Sequence, residues 1–172
     1  MFEYVHKRKA VKMSRTKAFL FTFLISMLPI VELRGAIPFA AAIDTFPKIT
    51  FLEAFPLAVI GNIIPVPFII IFFGFFFKIF RNVKYIGPIF TKVHDKATKH
   101  ADKIQRYAYW GLFIFVAIPC PGTGAWTGAV IASVLEMKLR RALPVIVLGV
   151  ITSGLIMGFI SYGLLDLFKT LF

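Results

Sequence analysis

The chain has 172 residues, 59% of them hydrophobic and 21 of them phenylalanine, with a mean hydropathy of +0.83. Soluble chains run nearer roughly 45–50% apolar, so a soluble domain is excluded and a multi-pass membrane protein is expected. The net charge of +12 does not describe a nucleic-acid surface, because the basic residues gather beside apolar segments.

Residues 1–17 hold six of the 20 Lys and Arg: Lys7, Arg8, Lys9, Lys12, Arg15 and Lys17. Such clusters mark the cytoplasmic flanks of membrane helices. Each charge near an anionic headgroup surface gains about 1 kcal/mol, so membrane lipids are expected partners and nucleic acid is not. With the apolar stretch 18–31 and Ala40-Ala41-Ala42, this start outlines a cleavable signal. Glu32 and Arg34 intrude before that site, and residues 26–61 are echoed later in the chain. The segment therefore reads as part of the fold.

A first helix is expected over 18–31, running into VELRGAIP (31–38), where Gly35 and Pro38 break it, and resuming at 39–46. Residues 53–80 form an apolar run of 28, about 42 Å at ~1.5 Å per residue. That exceeds a ~30 Å bilayer core, so the run tilts or bends at PVP (65–67). Eight more basic residues fall in 78–106. Within 88–106, Ile89, Phe90, Val93, Ala97, Ala101 and Ile104 recur every three or four positions. This is an amphipathic helix, either lying on the membrane surface or serving as a solvated linker. Residues 108–134 carry the interrupted string IPCPGTGAW (118–126), and 142–168 form the last long helix. There Gly149/Ser153 and Gly154/Gly158 are spaced for close helix packing, first within the chain and second as a homodimer face.

The two sides of the basic stretch rhyme. MLPIVELRGAIPFAAAI (27–43) precedes AFPLAVIG (54–61), and AIPCPGTGAWTGAVIAS (117–133) precedes ALPVIVLG (142–149). The string A-x-P-x4-G occurs twice, at Ala54, Pro56, Gly61 and at Ala142, Pro144, Gly149. Pro29 and Pro119 lie 90 residues apart and the two strings 88 apart. The expected fold is all-α and integral to the membrane, one domain over 1–172. Repeats at 18–80 and 107–172 each place a broken segment before a long transmembrane helix, joined by a basic amphipathic linker (81–106). Duplicated halves with discontinuous segments mark transporter folds. If the broken segments re-enter, the halves are inverted and 81–106 faces outward. If they cross fully, the halves are parallel and Lys138, Arg140 and Arg141 face outward. A third topology folds 53–80 back at PVP.

Lipid cannot hydrogen-bond free backbone, so broken segments survive only when buried in protein or lining a wet cavity. ELRGAIP and PCPGTG are expected to line one central site. The half-helix starting near Thr123 to Thr127 would aim N–H groups at an anion there. Glu32 and Arg34 are the charged residues inside these segments, and intramembrane ionisable groups are functional by default. Burial favours the neutral carboxyl of Glu32 and a neighbouring Arg34 the charged one, which suits a proton carrier. Arg34 can fork onto phosphate oxygens. The candidate substrate-binding set is Arg34, Gly35, Pro119, Pro121, Gly122, Thr123, Gly124, Trp126 and Asn62. The competing readings are a packing kink for PCPGTG, a structural ion pair for Glu32–Arg34 and an interfacial anchor for Trp126. Asp44, Glu53, Glu136 and Asp166 fall near segment ends and read as solvated. Cys120 is the single cysteine, and His6, His94 and His100 sit in basic segments without ligand spacing. No disulfide, metal, cofactor or catalytic constellation is expected.

ELRGAIP (32–38) and PCPGTGAWTGA (119–129) resemble the prokaryotic small multidrug export proteins, over roughly residues 20–165. That resemblance implies efflux across a prokaryotic cell membrane. More distantly, Glu32 beside a broken segment and the Pro-x-Pro-Gly turn at 119–122 look like the DedA/VTT membrane proteins. This second likeness implies paired re-entrant hairpins and proton-linked movement of polyprenyl-phosphate or other lipids, and it favours the re-entrant topology. The chain departs from the DedA pattern in placing Thr123-Gly124 after the turn and no arginine within 107–137. The expected function is a proton-coupled secondary transporter of a small amphipathic or phosphate-bearing lipid-like substrate. One alternative is efflux of lipophilic cations bound at Glu32. Another is a membrane scaffold or assembly factor using the 88–106 helix and the glycine face of 149–158.

Overall fold

The computed structural model describes residues 13–45, 47–80 and 101–163. Among them seven helices follow in order: α1 (Arg15–Met27), α2 (Glu32–Ala42), α3 (Phe51–Ile63), α4 (Pro65–Phe80), α5 (Ala101–Ala117), α6 (Ala125–Val134) and α7 (Leu139–Gly158). A π-helical turn, Phe159–Gly163, continues α7. The amphipathic helix expected over 88–106 lies outside the described residues as far as residue 100, and 101–106 open α5.

Among the described residues two stretches are long and apolar enough to cross a membrane, Phe51–Phe77 and Leu139–Gly163. Only 33% of the apolar window of each is buried within the protein. The core helix of a soluble protein hides most of its surface, whereas these present Phe68, Phe72, Phe75 and Phe159 outward. Exposed apolar surface on that scale needs lipid, and the chain is a membrane protein.

The chain divides into two compact units, Met1–Gly61 with Gly154–Phe172, and Asn62–Ser153. In the first, α1 stops where Pro29 has no N–H for the Ile25 carbonyl, and Leu28 donates its own at 3.1 Å instead. The residue before a proline is pushed towards extended backbone, and Leu28 has ψ 136°. The break thus falls on residues 28–31, earlier than Gly35 and Pro38 suggest, and ELRGAIP is the opening of α2 rather than broken chain. Gly35 donates to the Val31 carbonyl at 3.0 Å. Pro38 is carried inside the helix, as membrane helices tolerate when neighbours re-satisfy the backbone. The helix ends at Ala42, short of the expected 46.

Helix α2 packs back on α1. Helix α3 opens with one half of a capping box: Thr50 donates its N–H, and also its hydroxyl, to Glu53 Oε2, each at 3.0 Å. Arg15 of α1 pairs with the same carboxylate, so Glu53 is a structural anchor and not simply a solvated end. Further along α3, a Cβ on Gly61 would lie 2.0 Å from Ser26 Oγ and 2.6 Å from the Phe23 carbonyl oxygen. That contact requires glycine. At the end of α7, Gly154 abuts Leu33 and Phe55, and Gly158 abuts Phe51.

In the second unit α4 packs on α6. Ser133, 5% exposed, donates to the Ile70 carbonyl at 3.1 Å and to that of Ala129 at 2.8 Å. A Cβ on Gly128 would meet Val116 Cγ2 at 2.6 Å, and one on Gly149 would meet Val116 Cβ at 2.7 Å and the Phe113 carbonyl oxygen at 3.2 Å. The close packing expected of the glycine face is therefore satisfied within the chain. Helix α6 ends in a Schellman motif: Met137 donates to Ala132 at 2.9 Å and Glu136 to Ser133 at 3.1 Å. Such motifs place a left-handed residue at the position after the cap, and here exposed Glu136 takes it with φ 49°. The apolar run is interrupted at Ile64, directly before Pro65. Pro65 and Pro67 supply no N–H to the carbonyls of Gly61 and Ile63, four residues back.

Candidate functional site

The first unit sets Glu32, Arg34 and Gly35 together at the head of α2. Glu32 is 3% exposed and donates its N–H to the Leu28 carbonyl at 3.0 Å. Its φ is +52°, a left-handed conformation that costs a non-glycine residue of order 1–3 kcal/mol. A membrane protein thus holds an ionisable side chain out of water on strained backbone. Arg34 is half-buried. Gly35 has no room for a side chain, since a Cβ there would lie 2.1 Å from Val31 Cγ1.

The second unit contains the other predicted residues. Between α5 and α6 the chain is non-helical over 118–124. Gly122 has φ 83° and Gly124 φ 142°, so both need glycine. The Thr123 hydroxyl donates to the carbonyls of Ile118 at 2.8 Å and Cys120 at 2.9 Å. It braces the loop, so a residue expected to contact substrate spends its proton on structure. Pro119 is half-buried, while Cys120, Pro121 and Gly122 are exposed. Gly124 caps α6 without a side-chain acceptor, and Trp126 lies half-buried just beyond it.

Asn62, on the last turn of α3, is 0% exposed. Neither Nδ2 nor Oδ1 finds a hydrogen-bond partner within the protein. Ala58 and Val66, four residues to either side, are equally buried, so the amide interrupts an otherwise apolar stripe. Asp44 and Glu136 are exposed as expected, and Asp166 lies outside the described residues. Among those residues no three His, Cys, Asp or Glu come together as metal ligands do.

Sequence reasoning missed two anchors. Ser133 was visible as a small residue in the series Ala125, Gly128, Ala129, Ala132, all buried, which marks a packed face. The Arg15–Glu53 pair was foreshadowed by the T-x-x-E spacing of Thr50 and Glu53, the signature of a capping box.

A family model described as "Putative small multi-drug export protein" matches residues 32–156, opening on Glu32 itself. Comparison with curated proteins and with solved structures gave no match.

Proposed function

Since the chain belongs to the small multi-drug export family, we propose that it is a membrane transporter that exports a small amphipathic substrate against protons, with Glu32 as the proton carrier. The observation that carries this reading is the burial of Glu32 on left-handed backbone beside a helix break. An ionised carboxylate held there costs several kcal/mol unless it is paired or protonated. A buried carboxyl therefore keeps its charge only while its partners hold it, and takes up a proton when they move away. Arg34, half-buried two residues on, is the contact for a polar or anionic head of the substrate. The glycine-shaped backbone at Gly122 and Gly124 is a second place where substrate can approach main chain closely.

The helix lengths support re-entrant hairpins. Helices α1, α2 and α6 have 13, 11 and 10 residues, so about 20, 17 and 15 Å at ~1.5 Å per residue, each short of a ~30 Å core. The reading of two related halves is supported by a recurring contact. Gly61 lies against Phe23 and Ser26, and Gly149 against Phe113 and Val116. These are the offsets of 88 and 90 that the sequence strings show, and α1 and α5 also end 90 residues apart, at Met27 and Ala117.

The test is proton-driven dye export. Protein in proteoliposomes under a pH gradient should expel an uncharged amphipathic dye such as Nile red, and Glu32→Gln should abolish the gradient-driven part while its melting temperature stays near that of the wild type. Gradient-driven export at an unchanged rate in Glu32→Gln refutes the assignment.

A further inference from the structure

Among the described residues, Asn62 is a polar side chain wholly withdrawn from solvent, at 0% exposure, with no hydrogen-bond partner in the protein. Both ends of its amide are unsatisfied: the oxygen has lone pairs to fill and the nitrogen protons to give. A buried polar group left so destabilises the fold, and packing does not demand it. The glycine before it, Gly61, has its sequence partner in Gly149, and the residue after Gly149 is Val150, apolar and equally 0% exposed. An apolar side chain fills that position, so the amide at 62 answers to something other than packing.

Its depth is informative. The span Phe51–Phe77 has its midpoint at residue 64, and two residues of helix place Asn62 only about 3 Å from that level. The break at Ile64 and the prolines after it lie at the same height. Transporters place substrate contacts near the bilayer midplane, where helices are discontinuous.

The amide also selects the chemistry of its occupant. A bare cation satisfies the oxygen and leaves the nitrogen unpaired. An anion does the reverse. Only a group that donates and accepts, a hydroxyl or a carboxamide, satisfies both ends. Resting on the transporter reading above, we propose that Asn62 binds the uncharged hydrogen-bonding group of an otherwise apolar substrate. The substrate then carries a neutral hydroxyl or amide function on a lipophilic body, read at mid-membrane by a side chain that no charged headgroup satisfies. Water offers the same donor–acceptor chemistry, and the experiment separates the two.

Purified protein in detergent is melted alone and with dodecanamide, dodecyltrimethylammonium or dodecyl phosphate, which share one tail and differ in headgroup. Dodecanamide should raise the melting temperature by roughly 5–10 °C near saturation, and the two charged probes should not match it. Asn62→Leu, close in shape and without polar atoms, should melt higher than the wild type when no probe is present and bind dodecanamide at least about tenfold more weakly. The comparison of headgroups on the wild-type chain needs no variant to fold. If dodecanamide fails to stabilise the wild type, or stabilises no better than the charged probes, the proposal is overturned and water is the occupant. If Asn62→Leu melts lower and still binds dodecanamide, the amide is structural and the proposal is equally overturned. Dodecanamide binding is read on the wild type in detergent with no pH gradient, and proton coupling by gradient-driven export in proteoliposomes, so failure of the coupling and failure of this site are distinguished.

Discussion

Four alanine substitutions separate helix propensity from close packing. Gly74 in α4 and Gly111 in α5 have nothing within 4 Å of where a Cβ would stand. Alanine at either should gain up to about 1 kcal/mol, the ordinary difference between glycine and alanine in a helix. Gly61→Ala gains the same term but drives its methyl to 2.0 Å from Ser26 Oγ and 2.6 Å from the Phe23 carbonyl oxygen. Gly149→Ala meets Val116 Cβ at 2.7 Å. The side chain of Ser26 can rotate, but the Phe23 carbonyl belongs to helix α1 and moves only if the helix does. Overpacking of this kind costs about 1–3 kcal/mol. The close-packed and open variants should therefore differ by about that amount, or roughly 2–12 °C in melting temperature for a chain of this size. Tryptophan fluorescence on heating detergent-purified protein reads the difference, with Trp110 and Trp126 as reporters. Adding Ser26→Ala to Gly61→Ala should recover only part of the loss, because the carbonyl clash remains. Equal melting of Gly61→Ala and Gly74→Ala refutes the close approach of α3 to α1.

Three further outcomes follow from local geometry. Glu136→Gly should raise stability by about 1 kcal/mol, since glycine takes the left-handed position of a Schellman motif without the penalty borne by other residues; an unchanged melt contradicts that turn. Thr123→Val should cost about 1–2 kcal/mol by removing the hydroxyl that bridges the Ile118 and Cys120 carbonyls, while Thr123→Ser should not. Cys120 is exposed, so in intact proteoliposomes it should react with a charged, membrane-impermeant maleimide if the loop over 118–124 is water-lined. Complete protection would place that loop in lipid and remove the re-entrant reading.

How much of this was legible beforehand depended on which residue types carry backbone information. Proline and glycine speak for their own positions: Gly149 was expected in a close helix contact and makes one, whereas Gly61, read only as a marker of the repeat, makes another that the spacing did not announce. The same residues misled at 35–38. There Gly35 and Pro38 looked like a break, although the interruption belongs to Leu28 and Pro29, and a helix can carry a proline when its surroundings tolerate the missing donor. Breaking power is a property of context, which sequence spacing does not hold. Glu53 shows the converse: its position near a segment end suggested solvent, but a carboxylate at the third helical position, with Arg15 38 residues away in sequence, is fixed by tertiary approach. The burial of Asn62 was beyond reach for the same reason. One polar residue in an apolar run has no periodicity of its own, and only the packed structure shows that nothing in the protein answers it.

The first unit is discontinuous along the chain, its closing piece beginning at Gly154. During synthesis the whole stretch Asn62–Ser153 is therefore made before the residues that pack on Leu33, Phe51 and Phe55 exist. A nascent chain halted at Ser153 holds every residue of the second unit and lacks Gly154 and Gly158, the surfaces those aromatic rings and that leucine meet. The unit that is begun first thus waits for the second to be made, and Glu32, next to Leu33, gains its final surroundings only once Gly154 and the residues after it have been added.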